Sequence, residues 1–333
     1  MDPVTALKRI AFLLERAQAS TYRVKAVRTA ADAARSLPPG PVEAARAQQL
    51  PGVGPVTAQV IAEATAGQTP AYLAELEEQA GPLAHAGEHL LAATVGDCHL
   101  HSDWSDGGSP IEEMAAAAGN LGHRWVVLTD HSPRLTIAHG LSAERLRRQI
   151  EVVAGLNERL APLRLLTGIE CDILDDGSLD QEDDLLDELD LVVASVHSKL
   201  RMDPAPMTRR LLTAVRNPRV DVLGHCTGRL VSGRTRPESR FDAEAVFAAC
   251  ARTGTAVEIN CRPERRDPPG RLLRLAAEAG CLFAVDTDAH APGQLDWQAY
   301  GCARAAEAGL GIGQIVTAWP LARLLRWTGA TAF

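Results

Sequence analysis

No CxxC pair, no uninterrupted apolar run of 18 residues and almost no lysine occur in this 333-residue chain. Its seven cysteines, at 98, 171, 226, 250, 261, 281 and 302, are odd in number and dispersed. That excludes a disulfide framework and reads as the reduced thiols of a cytoplasmic protein. The N-terminal stretch MDPVTALKRIAFLLERAQAS is broken by charge too early for a secretory signal, and no membrane span is expected. Positive charge is also in short supply: 34 Lys and Arg against 42 Asp and Glu leave a net charge of −8. A protein that coats duplex DNA needs the opposite balance to displace counterions, so that class is excluded. Lys8, Lys25 and Lys199 are the only lysines, a bias that fits genomic base composition better than chemistry.

What is present is ordinary globular composition, 46% hydrophobic and 23% charged, enough for one large core and a small extra domain. Residues 1–80 read as all helix. Leu7, Ile10, Leu13 and Leu14 mark one apolar face, and a second amphipathic run extends from Tyr22 to Leu37. Breaks at Pro38, Pro39 and Gly40 precede a third run, Pro41 to Leu50. A fourth starts at Pro55 and a fifth after Thr69-Pro70, both positions where proline suits a first helical turn. Residues 81–93 read as a linker or short helix. From 94 onward, short β-like runs alternate with helical stretches such as Ile111–Asn120, Ala143–Leu160 and Asp242–Arg252. Strands are expected to end near Cys98, Leu128, Glu170, Ser195, Gly224, Ile259 and Val285. Such alternation argues for a parallel α/β barrel or a doubly wound sheet.

The chemistry falls at those strand ends: His99-Leu100-His101, Thr129-Asp130-His131, Glu170, His197, His225, Glu258-Ile259-Asn260 and Asp288-Ala289-His290. In a parallel barrel, strand C-termini converge on one mouth. A lone HxH pair is weak, since roughly 0.3 are expected by chance at this histidine content. Six of the ten histidines at five different strand ends are a stronger signal. Neutral imidazoles have little reason to crowd together unless a cation offsets their desolvation, and imidazole with carboxylate suits Zn, Mn or Fe.

The segments HLHSDWSDG, LTDHS, GIECDILDDGSLD, LDLVVASVHS, VDVLGHCTGRL, VEIN and DTDAH resemble the PHP (polymerase and histidinol phosphatase) family over residues 94–333, nearest to the PHP domain of bacterial family X polymerases. The resemblance implies a distorted seven-stranded (β/α) barrel with three divalent metal ions in its mouth. The implied ligands are His99, His101, Asp106, His131, Glu170, His197, His225, Asp288 and His290. One ion falls to His99, His101, Glu170 and Asp288, a second to Glu170, His197 and His225, and a third to Asp106, His131 and His290. Arg229 and Arg265 fall on family arginines that would hold phosphate, whereas Arg262 sits where relatives often carry another residue and reads as a solvated charge. His139 reads equally as a neighbour of substrate or a plain loop histidine. His85, His89 and His123 read as structural or exposed, and Cys226 as a packed thiol with no base to activate it.

Residues 4–80 resemble the small all-α helix-hairpin-helix domain of the same polymerases, through TYRVKAVRTAADAARSLP and LPGVGPVTAQVIAEA. The resemblance implies that Gly52 and Gly54 let backbone amides approach a DNA phosphate. Residues 1–50 carry eight basic against four acidic side chains, but residues 51–90 carry five glutamates and no Lys or Arg. Weak DNA binding is therefore the most this domain is expected to offer. The nucleotidyl-transfer region of the polymerases is absent between the domains, which excludes polymerase activity. Val56 and Val60 stand where related lyase domains carry Schiff-base lysines, so imine chemistry does not carry over. The expectation is a phosphoesterase acting on a phosphate-ester substrate, at DNA ends or abasic sites. The alternatives are a small-molecule phosphomonoesterase of the histidinol-phosphate type and a non-catalytic DNA-end-binding module.

Overall fold

The computed structural model describes residues 1–330. Contacts divide the chain into two compact units, residues 1–82 with 292–294, and residues 83–291 with the remainder. Among the described residues, no helix is long and apolar enough to cross a membrane.

The first unit contains α1 (Pro3–Arg16), α2 (Thr21–Ala34), α3 (Ala44–Ala47), α4 (Pro55–Thr65) and α5 (Ala71–Gln79). Asp2 caps α1 by accepting from the Thr5 amide at 2.7 Å. Leu7, Ile10 and Leu14 of α1 bury against Val27, Ala30, Ile61 and Leu73, as the helical periodicity predicts. The run from Pro41 to Leu50 contracts to the four residues of α3. Before it, the Val42 amide donates to the Thr65 hydroxyl and is not available to a helical ladder. After it, Pro51 disfavours helical backbone at Leu50. Gly52 adopts φ +76°, and a side chain there would collide with the Thr29 methyl, so this turn needs glycine.

The second unit opens with α6 (Glu88–Ala93), the helical alternative for the 81–93 stretch. It continues β1 (Gly96–Leu100), α7 (Ile111–Asn120), β2 (Trp125–Leu128), α8 (Ala143–Asn157), β3 (Arg164–Asp172), α9 (Asp183–Leu186) and β4 (Leu191–Ser195). Then come α10 (Pro204–Val215), β5 (Val222–Leu223), α11 (Ala243–Thr253), β6 (Ala256–Asn260), α12 (Gly270–Glu278), β7 (Phe283–Asp286), α13 (Gln298–Glu307) and α14 (Leu321–Thr328). The strands are parallel in the order β1 to β7. An isolated bridge from Leu100 to Ala289 brings the first edge to the last. This is the seven-stranded (β/α) barrel and not the open doubly wound sheet.

Inward-facing residues change character along each strand. At the base, Cys98, Val127, Leu166, Val193, Val222, Ala256 and Ala284 form an apolar plug with Trp125 and Trp319. Side chains two residues further on share the same face, and there the layer holds Gly168, Ser195, Gly224, Glu258 and Asp286. Four residues on it holds Glu170, His197, Asn260 and Asp288. A side chain at Gly168 would meet Val127 Cγ1 at 2.6 Å and the Leu191 carbonyl at 2.8 Å, so glycine leaves the space beneath Glu170. In β1 the pairing register shifts between Asp97 and Leu100, a bulge at His99 that breaks strict alternation where the site begins.

Candidate metal centre at the barrel mouth

Glu170 is the hub. Its carboxylate lies 3.3 Å from His99 Nε2, 3.6 Å from His101 Nε2 and 2.8 Å from His131 Nδ1. His197 Nε2 lies 3.2 Å away and His225 Nε2 2.9 Å away, so one carboxylate faces five imidazoles. Asp288 Oδ1 stands 3.4 Å from His101 Nε2, and Asp106 Oδ1 stands 3.5 Å from His131 Nε2 and 3.3 Å from His290 Nε2. The depth is graded: His99 and His101 are wholly buried, while Asp106 and His290 reach solvent at the rim.

Among the described residues, three groups bring ligand atoms within 4.8 Å of one another: His101 with Asp106, His131 and His290; His99 with His101 and Glu170; and His131 with Glu170 and His197. The nine sequence-predicted residues thus meet in one place, with His101 and His131 shared between groups that the resemblance kept apart. Asp288 and His225 approach the same atoms at the distances above.

Whether these residues fit metal ions is tested by their unsatisfied atoms. Buried atoms without a hydrogen-bond partner include His99 Nε2, both ring nitrogens of His101 and of His197, His131 Nδ1, His225 Nδ1 and Glu170 Oε2. Each such group costs roughly 1–3 kcal/mol when left unpaired. Divalent cations would satisfy one ring nitrogen of each imidazole and the Glu170 oxygen, and the donor set suits that use. The electrostatics agree. Burial would raise the carboxyl pKa of Glu170, but charge on His99, His197 and His131 outweighs it and holds the group well below its usual range. Asp288 is likewise held low against its burial by Arg262 and His99. Burial opposes charge on His99, yet Glu170, Glu258 and Asp288 raise its pKa well above the ordinary value. His131 rises to about 10 against its burial, through Glu170 and Asp106. Burial and the charges of His290 and His131 push His101 down. Buried carboxylates at this mouth are thus held charged by the cationic groups around them.

Three residues that the sequence places at strand ends without a role, Asp130, Glu258 and Asn260, prove to be positioning groups. Glu258 accepts from His99 Nδ1 at 2.6 Å and from the His225 amide at 2.5 Å, and Asn260 Nδ2 donates to it at 3.2 Å. The His99 contact directs Nε2 towards Glu170. Asp130 accepts from the Ser102 amide at 2.8 Å, its hydroxyl at 2.6 Å, the Ser105 hydroxyl at 2.5 Å and Gln149 at 2.7 Å. Every lone-pair direction of that carboxylate is used to fix the segment leading to Asp106.

The arginines divide unexpectedly. Arg265 Nε lies 3.3 Å from Asp288 Oδ2. Arg262, expected as a solvated charge, is largely buried, with Nη1 2.9 Å from His290 Nδ1 and Nε 2.7 Å from Glu264. Arg229 directs Nε to the Arg265 carbonyl at 3.1 Å and Nη2 to the Arg266 carbonyl. It holds the loop that carries Arg265 and does not stand open at the mouth. His139, His85 and His89 are exposed, and His123 is buried away from the strand ends, its pKa pushed down to about 4 by burial. Burial pushes the Cys226 thiol well above its ordinary pKa, which suits an inert packed residue.

In the first unit, Gly54 precedes α4 with open space where a side chain would stand. Its amide donates to the Thr57 hydroxyl at 3.0 Å, a partner that a phosphate would have to displace. Val56 is 58% exposed and Val60 buried, so neither position presents an amine.

The PHP domain profile matches residues 97–262 and a helix-hairpin-helix domain profile matches residues 1–69. The chain is 41% identical over 206 residues to the DNA polymerase/3'-5' exonuclease PolX of Bacillus subtilis, a match covering 62% of this chain and 36% of that protein. The chain thus spans little more than a third of the length of that relative. It is 32% identical over 205 residues to a probable phosphatase of Syntrophotalea carbinolica, covering 58% of this chain and 79% of the other. A crystal structure of histidinol phosphate phosphatase from Lactococcus lactis, complexed with zinc, L-histidinol and phosphate, superposes with a TM-score of 0.49 at 20% identity. That alignment covers 66% of this chain and 95% of the other, a likeness too loose to carry chemistry.

Proposed function

This chain belongs to the PHP family, and from that premise we propose that it is a metal-dependent phosphoesterase whose active site is the barrel mouth. The observation that carries the reading is Glu170 facing five imidazoles amid buried nitrogens that lack partners. His99, His101, Asp106, His131, Glu170, His197, His225, Asp288 and His290 would hold three divalent ions, Zn, Mn or Fe. When bound, such ions supply Lewis-acid stabilisation of a phosphoryl group and a water of lowered pKa. By accepting a hydrogen bond from Nδ1–H, Glu258 leaves Nε2 of His99 as the lone-pair atom that faces the site. Arg265 holds a phosphate oxygen, and Arg229 contributes by supporting its loop. With three ligand carboxylates the loaded site is positive inside an acidic protein, and such a site draws phosphate without a basic surface.

Glu258→Gln is expected to weaken metal affinity by about 10- to 100-fold, the usual consequence of disturbing a group that orients a ligand. Metal titration of the folded variant measures it. Unchanged affinity would remove Glu258 from the account.

For substrate, we propose phosphate esters at DNA ends or abasic sites, with the helical unit lending weak, salt-dependent DNA contact through the Gly52–Gly54 turn. The identity to a polymerase/exonuclease across the barrel and the helix-hairpin-helix match support this. The chain lacks a nucleotidyl-transfer region between its domains, so polymerase activity is not part of the proposal. The phosphatase relative, matched over 79% of its length, favours a second reading as a small-molecule phosphomonoesterase. Removing residues 1–80 separates the two. A tethered DNA contact raises effective concentration, so the truncated, folded protein should lose hydrolysis of 3'-phosphate DNA ends by about tenfold more than hydrolysis of p-nitrophenyl phosphate. An unchanged ratio of the two rates would place the small-molecule reading first.

A further inference from the structure

The loop after β6, residues 260–268, carries both guanidinium groups that approach Asp288. The Asn260 amide donates to the Asp267 carbonyl at 2.9 Å, so the loop leaves and re-enters at nearly one point. Between them, the amides of Arg265 and Arg266 both reach the Arg262 carbonyl, at 3.0 and 3.1 Å, in a tight turn with Arg266 at φ +47°. Two arginines outside the loop hold it. Arg304, on α13, donates Nη1 to the carbonyls of Asn260 and Asp267, each at 3.2 Å, and Nη2 to the Pro268 carbonyl. Arg229 serves the carbonyls of Arg265 and Arg266. Five carbonyls of one loop therefore accept from two guanidinium groups.

This is a costly way to pack a side chain. Burial lowers the pKa of Arg304 to about 10, so the group remains charged at neutral pH with its desolvation offset through backbone carbonyls. An apolar residue could fill the volume without that cost, but it could not join the two ends of the loop. A planar fork of donors can.

We propose that Arg304 is a positioning residue for phosphate capture, fixing the ends of the 260–268 loop so that Arg265 presents its guanidinium beside Asp288. The proposal rests on the phosphoesterase reading of the mouth.

A double-mutant cycle in the full-length, metal-loaded protein tests it. Arg265→Ala should raise KM for p-nitrophenyl phosphate about tenfold or more by removing a charge-assisted hydrogen bond. Arg304→Ala should raise KM about fivefold, with kcat within about twofold and metal content unchanged, since it acts through Arg265. Arg304→Lys keeps the charge but not the fork, and should fall between. In the Arg265→Ala background, either substitution should add almost nothing. Additive effects, or a fall in kcat with KM unchanged, overturn the proposal. If Arg304→Ala does not fold, Arg304→Lys takes its place in the cycle. If the wild-type protein turns over no ester, the phosphoesterase reading fails separately, and the same cycle is read from the affinity for inorganic phosphate. Coupling there sustains the positioning role, and additivity ends it.

Discussion

Glu170→Gln should abolish hydrolysis and deplete bound metal together. The carboxylate faces His99, His101, His131, His197 and His225, and two of the three close ligand groups include it. Glutamine has nearly the same shape, so the change isolates charge. Disturbing even a group that only orients a ligand costs about 10- to 100-fold in metal affinity or activity, so loss of the ligand charge itself should cost at least that. Elemental analysis of purified protein and turnover on a phosphomonoester measure the two effects. Loss of turnover with metal retained would confine Glu170 to the chemical step. Normal turnover would contradict its assignment as a ligand.

Metal removal should also destabilise the barrel itself. A ligand at a thousand times its dissociation constant stabilises the folded state by about 4.1 kcal/mol. For a domain of this size, each kcal/mol moves Tm by roughly 2–4 °C. Exhaustive chelation should therefore lower the barrel's Tm on the order of 10 °C per tightly held ion, and added Zn or Mn should restore it. The physical reason is the set of buried imidazole and carboxylate atoms without partners, which leaves the mouth poorly satisfied on its own. Calorimetry before and after EDTA treatment reads the shift, and an unchanged Tm would show that the folded chain gains no stability from metal.

Much of the barrel was legible because its strands are largely buried on both faces and read as short apolar runs with polar residues at or just past their ends. Ile111–Asn120 stands as the periodicity predicts, while α8 stops at Asn157, whose side chain turns to bond the Leu165 amide and carbonyl at 2.9 and 2.8 Å. The ligand-type residues were visible because histidine is scarce and fell at strand ends. Glu258 is visible as a carboxylate two residues before the end of an otherwise apolar strand, but its role is not. Its partner, the ring of His99, lies 159 positions away. Arg304 leaves no trace in the sequence, because its partners are backbone carbonyls, which every residue has. Arg262 is buried by the loop's fold and not by its neighbours in sequence, so its place beside His290 is equally invisible there.

Metal-dependent phosphate release at this mouth is the central expectation. The measurement is the initial rate of p-nitrophenyl phosphate hydrolysis by chelated protein as Zn, Mn or Fe is returned stepwise. The rate should be negligible without metal and rise to a plateau at a few ions per chain with at least one of these metals. Turnover that survives chelation, or no turnover with any of the three on this ester or on phosphate-terminated DNA, would contradict it.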